Sequence, residues 1–344
     1  MIIVRFTSGL GNQMFQYTFY KYLKRKYRGV EVKGDLSWFY AYNDHHGYEL
    51  ERIFKENPDS EFELSEASPG DIFKVTGLIP NIVKPRDMLS SGRRGRHKAL
   101  TAKAFEKFRR YPNRILREFT AKKRLTNTID QLTGNISNFD IVNEDGSIYN
   151  ELYEYVNSLK REKDHYFIGF WIEERYFKAV LEEVRRAFVF PLLKGENRYL
   201  AERIEGENSV SIHVRRGDYL KEYKDSFKTL SRDYYVKAVD EIVKRSGITS
   251  DKLSFYIFSD DPEFVKKEFS WLDNSTVVTG NSGENSYRDM QLMSLCKHNI
   301  IANSTFSQWG SLLNKNEDHL TLYPKAYLKD RDNEEKTLKG WIMI

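Results

Sequence analysis

Three short stretches of the sequence carry the side chains that could hold a nucleoside diphosphate. The adjacent arginines Arg215 and Arg216 offer planar guanidinium groups that suit bidentate binding of phosphate oxygens. The hydroxyls of Ser304-Thr305-Phe306-Ser307 stand at a predicted helix start, where free backbone N–H groups and the helix dipole favour an anion. Asp260 and Asp261 could accept hydrogen bonds from a base edge or a sugar hydroxyl. Together these residue types predict a nucleotide site.

A glycine loop near the N-terminus offers a second anion site. Gly9 and Gly11 allow a ligand to approach the backbone closely, and Asn12 and Gln13 present amides at a helix start. The spacing lacks the third glycine of the dinucleotide fingerprint and the lysine of a P-loop. A tight turn without a ligand is the alternative interpretation.

Each signal also has an ordinary structural explanation. Asp218 could pair with Arg215 or Arg216 inside its own loop, and Asp261 before a proline is a common helix N-cap. Asp260 and Asp261 resemble the carboxylate pair that holds a divalent metal in some transferases. Since two arginines could neutralise a diphosphate, we predict no metal and no cofactor.

The single cysteine, Cys296, excludes a disulfide framework and a cysteine-based zinc site. It fits the core of an apolar helix, and His298 is predicted to cap the end of that helix.

Alternating strands and helices must position these groups. From Ser209 onward the alternation is regular, which predicts a parallel sheet with helices on both faces and ligands at the carboxyl ends of its strands. The chain also opens with a strand, the glycine loop and a helix. The predicted strands are 2–6, 166–171, 210–214, 253–259, 276–278, 300–302 and 320–323, and the predicted helices are 13–26, 97–125, 176–190, 232–246, 262–269, 287–296 and 307–313.

Composition indicates a soluble protein of two domains, since 344 residues with 40% hydrophobic and 31% charged side chains can build sizeable cores. No run approaches the 18 apolar residues of a spanning helix. The apolar N-terminal run is too short for a secretory signal and lacks a basic leader, so we expect a cytosolic protein.

Positive charge is concentrated in residues 84–124, which hold 15 Lys/Arg against three Asp/Glu. This segment predicts an anionic partner such as nucleic acid, a phosphorylated ligand or a membrane surface. A solvated pair of basic helices is the alternative. A non-catalytic nucleic-acid-binding protein is disfavoured because the segment shows no recognition motif or stacking platform.

In combination, the motifs resemble those of the glycosyltransferase family 11 α-1,2-fucosyltransferases of bacterial type. They occur in the family's order, most densely in residues 5–20 and 209–313. The matching stretches are Gly-Leu-Gly-Asn-Gln-Met-Phe-Gln from Gly9, Gly-Phe-Trp from Gly169, His-Val-Arg-Arg-Gly-Asp-Tyr from His213, Phe-Ser-Asp-Asp from Phe258, and residues 292–307.

The resemblance implies an α/β protein of the GT-B fold, with two Rossmann-like domains facing across a cleft. Residues 1–190 would form the acceptor-side domain and residues 191–325 the domain that binds GDP-fucose. The tail, residues 326–344, would pack back on the N-terminal domain. The implied reaction is metal-independent, inverting transfer of L-fucose from GDP-L-fucose to the 2-hydroxyl of a terminal β-galactoside.

The resemblance also implies roles for individual residues. Arg215 would bind the β-phosphate, with Arg216 beside it, while His213 and Asp260 would lie at the guanine. The turn from Ser304 through Thr305 and Phe306 to Ser307 would hold the pyrophosphate. The N-terminal loop, with Gly11 and Gln13, would bring Asn12 towards the β-phosphate and fucose.

Inversion needs a base that activates the acceptor hydroxyl. Asp218 is the first candidate, with Glu222 and Asp225 as rivals, and a role in orienting Arg215 or Arg216 is the alternative for Asp218.

Two positions depart from the family pattern and bear on the acceptor. Gln308 precedes Trp309 where two aromatic residues are frequent, and Ile172 replaces a polar residue. We expect a β-galactoside oligosaccharide or lipid-linked glycan as acceptor, in bacterial surface glycan synthesis. Nucleic acid is not an expected partner. Residues 84–124 are expected to contact anionic lipid from the cytoplasmic side. The alternative is fucosyl transfer with another linkage, α-1,6 or to protein.

Overall fold

The chain forms two compact units, Met1–Val189 and Phe190–Ile344, within a computed structural model. The division lies one residue from the boundary suggested by the sequence. The structure describes residues 1–41, 45–76, 139–143, 149–221, 224–225, 227–325 and 340–344, and for residues 41, 139–143 and 149–151 only the backbone. The basic segment 84–124, the predicted helix 97–125 and Glu222 lie outside these residues.

The first unit is built on a parallel four-stranded sheet in the order β2-β1-β4-β3. Helices connect the strands, as parallel pairing requires. The strands are β1 (Ile2–Arg5), β2 (Val32–Asp35), β3 (Phe139–Asn143) and β4 (Asp164–Ile168), and the helices are α1 (Leu10–Lys26), α2 (Trp38–Ala41), α3 (Pro69–Thr76), α4 (Tyr149–Asn157) and α5 (Glu174–Ala187), with a π-helical turn at Glu51–Lys55.

Aromatic side chains hold α1 in the first unit. Phe19 stacks on Trp171 with 4.1 Å between ring centroids, and Tyr17 stacks on Phe62 at 4.9 Å. Trp171 has a φ of +59°, which is strained for a bulky residue, and it is almost completely buried. The strand predicted over 166–171 therefore ends at Ile168, because the chain turns at Trp171 to bury the indole against α1.

The second unit contains a parallel six-stranded sheet in the order β10-β9-β8-β5-β6-β7. The strands are β5 (Ser209–Val214), β6 (Ser254–Ser259), β7 (Ser275–Val277), β8 (His298–Ile300), β9 (Thr321–Tyr323) and β10 (Ile342–Met343), and the helices are α6 (Gly195–Gly206), α7 (Arg232–Ser246), α8 (Pro262–Glu268), α9 (Tyr287–Leu295) and α10 (Thr305–Leu312), with 3₁₀ turns at Ser250–Lys252 and Gly283–Asn285.

Both faces of this sheet are covered, which explains the nearly continuous apolar sequence of β6. Phe255 and Ile257 point to the core that α7 completes, whereas Tyr256 and Phe258 point to the core of α6 and α9. The predicted α/β class, with one Rossmann-like parallel sheet in each of two units, is confirmed.

Strand order marks where each sheet can bind a ligand. In the second sheet the chain passes from β5 to β6 and β7, then returns to the other side of β5 as β8. In the first sheet, β1 separates β2 from β4. Loops that leave neighbouring strands in opposite directions open a crevice at the carboxyl edge, and α/β proteins bind ligands there.

The prediction for His298 is wrong, and one helix of the second unit was not predicted. His298 does not cap a helix but begins β8, where its Nδ1 accepts a hydrogen bond from the Leu320 N–H at 3.1 Å. Helix α6 has no counterpart among the predicted elements. At the chain end, Ile342 and Met343 form β10, which pairs with β9 of the second unit.

Among the described residues, no helix combines the length and apolar character needed to cross a bilayer.

Candidate functional site

The three predicted phosphate and base loops follow three adjacent strands. Strand β5 pairs with β6 on one side and with β8 on the other, so the loops after Val214, Ser259 and Ile300 leave the same edge of the sheet. The loops after β5 and β8 flank the switch point of this sheet. The sequence prediction that these loops converge is therefore confirmed.

Arg215 lies at the centre of this edge. Its Nη2 donates to Asp218 Oδ2 at 2.6 Å, and its Nη1 lies 3.2 Å from Asp260 Oδ2. Burial alone would lower the pKa of Arg215, but the charge of Asp260 and the hydrogen bond to Asp218 hold that pKa above its ordinary value. About a quarter of the side chain stays exposed. The guanidinium is thus fixed, charged and accessible.

The carboxylate of Asp260 is hydrogen-bonded to the backbone of the loop after β5. Its Oδ1 accepts from the Arg216 N–H at 2.9 Å, and its Oδ2 accepts from the Gly217 N–H at 3.0 Å. A Cβ on residue 217 would lie 3.1 Å from Asp260 Oδ2, which is closer than such contacts normally come. A glycine at 217 therefore allows the carboxylate to reach the backbone.

Arg216 points along the same edge in a different environment. Its guanidinium carbon lies 3.5 Å from the ring centroid of Phe264, and its Nε lies 3.5 Å from Asp261 Oδ2. Asp261 also caps α8, because its Oδ1 accepts from the Phe264 N–H at 3.2 Å. Sequence reasoning missed Phe264. Its position one helical turn after the N-cap Asp261 was the available signal.

The turn after β8 supplies the helix start on the other side of the switch point. Ser304 is the N-cap of α10 and accepts from the Phe306 N–H at 3.4 Å. Ser304, Thr305 and Phe306 are half-buried, whereas Ser307 is buried and its hydroxyl accepts from the Ala302 N–H at 3.2 Å. Ser307 thus shapes the turn, and the three residues before it face the edge.

Asn303, which lies in the matching stretch 292–307 but was given no role of its own, joins the two loops at the switch point. Its Nδ2 donates to Lys228 O at 2.8 Å, and its backbone carbonyl accepts from Tyr219 Oη at 2.7 Å. Tyr219 in turn stacks on Phe227 with 4.6 Å between centroids. Its position directly after the predicted strand 300–302, within the matching stretch, was the signal for it in the sequence.

His213 lies inside the sheet below the arginines. It is almost completely buried on β5, and its ring centroid lies 5.9 Å from that of Phe306. Burial, reinforced by the charge of Arg215, lowers the pKa of His213 to about 3, so the imidazole is neutral at physiological pH. Its Nδ1 has no hydrogen-bond partner within the described residues. Any contact between His213 and a base would involve the neutral ring or its backbone.

In the first unit, the glycine loop is held by a buried glutamine. Gln13 Nε2 donates to Ser8 O at 2.7 Å and to Gly47 O at 2.8 Å, and its Oε1 accepts from the Glu49 N–H at 2.9 Å. The Gln13 amide is therefore used entirely inside its own unit. Asn12, the residue directly before Gln13 in α1, is half-buried, so solvent reaches its amide.

A second glutamine, Gln16, joins two loops at the carboxyl edge of the first sheet. Its Oε1 accepts from the Thr7 N–H at 2.9 Å, and its Nε2 donates to Gly169 O at 2.9 Å. The loops after β1 and β4 are thereby fixed to each other.

The three proposed bases differ in their surroundings. Asp218 is ion-paired with Arg215, Asp225 lies exposed on a turn, and Glu222 is outside the described residues. No cluster of three or more His, Cys, Asp or Glu side chains that could hold a metal occurs in the part of the chain that the structure describes.

Fold and site together define a class. Two parallel α/β sheets, with guanidinium groups and a helix start at the switch point of the second, are typical of proteins that bind nucleotide phosphates. The family comparison is more specific. The model of glycosyl transferase family 11 matches residues 100–344, and the chain belongs to this family.

The chain is similar to several named proteins, which match different fractions of its length. An α-1,2-colitosyltransferase of Escherichia coli is 28% identical over 100% of this chain and 99% of its own length. The O-antigen biosynthesis glycosyltransferase WbnK of E. coli is 31% identical over 56% of this chain and 66% of its own. Galactoside alpha-(1,2)-fucosyltransferase 1 of Oryctolagus cuniculus is 26% identical over 52% of this chain and 51% of its own.

Proposed function

We propose that this protein transfers L-fucose from GDP-β-L-fucose to the 2-hydroxyl of a terminal β-galactoside, with inversion and without a metal ion. The observation that carries the proposal is the fixed, accessible guanidinium of Arg215 beside the half-buried helix start at Ser304–Phe306. The names of the relatives agree with an α-1,2 linkage and with O-antigen synthesis.

The chemistry follows from where charge develops. Cleavage of the fucose–phosphate bond leaves additional negative charge on GDP, and the sugar gains oxocarbenium character. Arg215 and the N–H groups of the first turn of α10 would stabilise the departing phosphate, in the way that preorganised donors stabilise an oxyanion. Since Arg215 is already held by two carboxylates, it needs little reorganisation as the bond breaks.

Within this proposal, Asp218 orients Arg215. This is the second of the two roles that the sequence left open, and the 2.6 Å contact between Nη2 and Oδ2 supports it. Asn12, which solvent reaches at the start of α1, is proposed to contact the β-phosphate or fucose. Ser307 and Gln13 would act indirectly, because their polar atoms already bond to their own loops.

Metal independence is supported by what the acidic side chains already contact. Asp260 accepts from two backbone N–H groups, and Asp261 caps α8. A cation at either carboxylate would therefore compete with these donors and with the neighbouring arginines. Activity in EDTA tests this point, since restoration of lost activity by Mg²⁺ or Mn²⁺ would contradict it.

An acceptor panel tests the function directly. Purified protein is incubated with GDP-fucose and lactose or N-acetyllactosamine, and the product is analysed by mass and linkage. We expect a single added deoxyhexose on the galactose 2-hydroxyl. A 1,6-linkage, or transfer to protein alone, would contradict the proposal.

A second donor sugar is the specific alternative. The relative that matches the full length of this chain is named for colitosyl transfer rather than fucosyl transfer. The same panel is therefore run with the colitosyl donor. A higher kcat/KM with colitose than with fucose would reassign the donor sugar and leave the α-1,2 linkage to be read from the product.

A further inference from the structure

We infer that Asp260 is a positioning residue that builds the phosphate-binding loop, rather than a residue that reads the guanine base. The inference rests on the proposed function, since it concerns how that same donor site is made. The resemblance to family 11 implies a guanine contact for Asp260, and the geometry points to a different role.

The first argument is the direction of the carboxylate. One oxygen of Asp260 accepts from the Arg216 N–H at 2.9 Å, and the other accepts from the Gly217 N–H at 3.0 Å. That second oxygen also lies 3.2 Å from Arg215 Nη1. The loop and Arg215 thus occupy three of the roughly four acceptor positions of this carboxylate, which leaves one position, on Oδ1, for any further donor.

The second argument is the cost of replacing these partners. Two N–H groups of a loop between strands, with a guanidinium beside them, form a pocket of donors that favours an anionic acceptor. Because Asp260 follows β6 and the arginines follow β5, this contact ties neighbouring strands together at the edge where the phosphate would bind. The contact thereby fixes the backbone conformation of the loop that carries Arg215.

The third argument is the residue type on the other side of the contact. Residue 217 is a glycine, and any side chain there would bring a Cβ within 3.1 Å of Asp260 Oδ2 and 3.3 Å of its Cγ. The backbone at 217 is therefore shaped for close approach by this carboxylate. A residue whose function was to face a base would not require that space.

The two roles separate in a comparison of four ligands. GDP, GMP and guanosine differ in phosphate, whereas GDP and inosine diphosphate differ only in the amino group of the base. A carboxylate that reads guanine accepts from that amino group, so its loss weakens GMP and guanosine as well and reduces the preference for GDP over inosine diphosphate. A positioning carboxylate affects phosphate binding and leaves this preference unchanged.

The experiment measures the four affinities by calorimetry for the wild type and for Asp260→Asn, Gly217→Ala and Asp240→Asn. Asp240 is an exposed aspartate of α7 and serves as the matched control. We expect Asp260→Asn to weaken GDP binding by about 10- to 100-fold, the range for a lost charge-assisted hydrogen bond. Guanosine affinity and the ratio of GDP to inosine diphosphate should stay within about twofold of wild type, the scatter between unrelated sites.

Gly217→Ala keeps the carboxylate and disturbs only its approach to the loop, so it should reproduce the phosphate-specific loss. Equal loss for all guanine ligands in Asp260→Asn, or a collapse of the ratio, would overturn the inference, as would wild-type GDP affinity in both variants. If the wild type itself binds no GDP, the proposed function fails before any variant is compared. Circular dichroism and melting temperature confirm that each variant is folded.

Discussion

Arg215 and Asp218, three residues apart in the loop after β5, form an ion pair with 2.6 Å between Nη2 and Oδ2. With Asp260 on the other side of the guanidinium, two carboxylates hold one cation at the switch point of the second sheet. The arrangement reduces the net positive charge of the edge, but it fixes the geometry of the donors. Preorganised donors of this kind lower a barrier more effectively than mobile charge.

Replacing Arg215 by alanine is expected to reduce kcat by about 100- to 1,000-fold, the usual effect of removing one preorganised donor to developing negative charge. The variant should fold, with a lower melting temperature, because Asp218 and Asp260 lose their shared counter-charge. Initial rates with GDP-fucose check the first expectation and thermal melts the second. Arg245→Ala, an exposed helical arginine, is the matched control. A near-normal kcat would remove Arg215 from the mechanism.

Asp218→Asn separates orientation from base catalysis. If Asp218 acts through Arg215, the substitution should change GDP affinity on the order of tenfold when Arg215 is present and hardly at all in the Arg215→Ala background. The measurement is a double-mutant cycle of GDP affinities. Unchanged GDP affinity together with a large fall in kcat would identify Asp218 as the base instead.

The glycine loop allows function to be separated from folding at adjacent positions. Gln13→Ala removes three buried hydrogen bonds and should lower the free energy of unfolding by about 2–4 kcal/mol. Asn12→Ala should change it by less than about 0.5 kcal/mol, as at a solvent-accessible site, but should reduce transfer. Urea unfolding and initial rates measure the two effects. Stability loss of similar size in both variants would contradict the assignment.

His213 makes stability dependent on pH. Its folded pKa of about 3 lies below the ordinary value of 6.5, so the unfolded chain takes up a proton that the folded protein refuses. This contribution is fully present above pH 6.5 and is lost as pH falls, by about 1.4 kcal/mol per pH unit down to about pH 3. Urea unfolding of wild type and His213→Phe at pH 7.5, 6.5 and 5.5 should show the smaller slope in the variant. Parallel curves would contradict it.

Asp289 contributes a pH dependence of stability that is opposite in sign to that of His213. Burial raises its pKa to about 7, even though the Asn281 amide donates to its Oδ1 at 2.8 Å and works against the shift. The unfolded state ionises near pH 3.8, so the folded state loses relative stability as pH rises from there to about 7. Asp289→Asn keeps the acceptor for Asn281 and should be more stable than wild type at pH 8, with little difference at pH 4. A destabilised variant at pH 8 would refute this.

Much of the architecture was predictable because strand and helix periodicity is local. The helix 232–246, stopped by Gly247 at a φ of +69°, has the predicted bounds. The strands that carry the arginines and aspartates were also predicted within one residue. Once such strands are parallel, their carboxyl ends must meet at one edge, so the convergence of the three loops followed from the order of elements alone.

The tertiary structure decided which partner each polar side chain takes. Asp260 could face a base, a metal or a backbone, and only the register of β5 against β6 places it against the N–H groups of Arg216 and Gly217. In the same way, Gln13 was expected at the ligand, but the chain at Gly47 and Glu49 returns to consume its amide. These contacts join residues about 35 to 45 positions apart, which residue spacing along one helix or strand does not encode.

The amino-acid sequence by itself therefore determined the class of fold, the edge where a ligand would bind and the set of residues gathered there. Only the tertiary structure divided that set into groups that remain accessible, such as Arg215 and Asn12, and groups that hold their loops, such as Asp260, Gln13 and Ser307. The physical reason is that residue type limits what a side chain can bond to, whereas the three-dimensional path of the backbone determines which of those partners is within 3 Å.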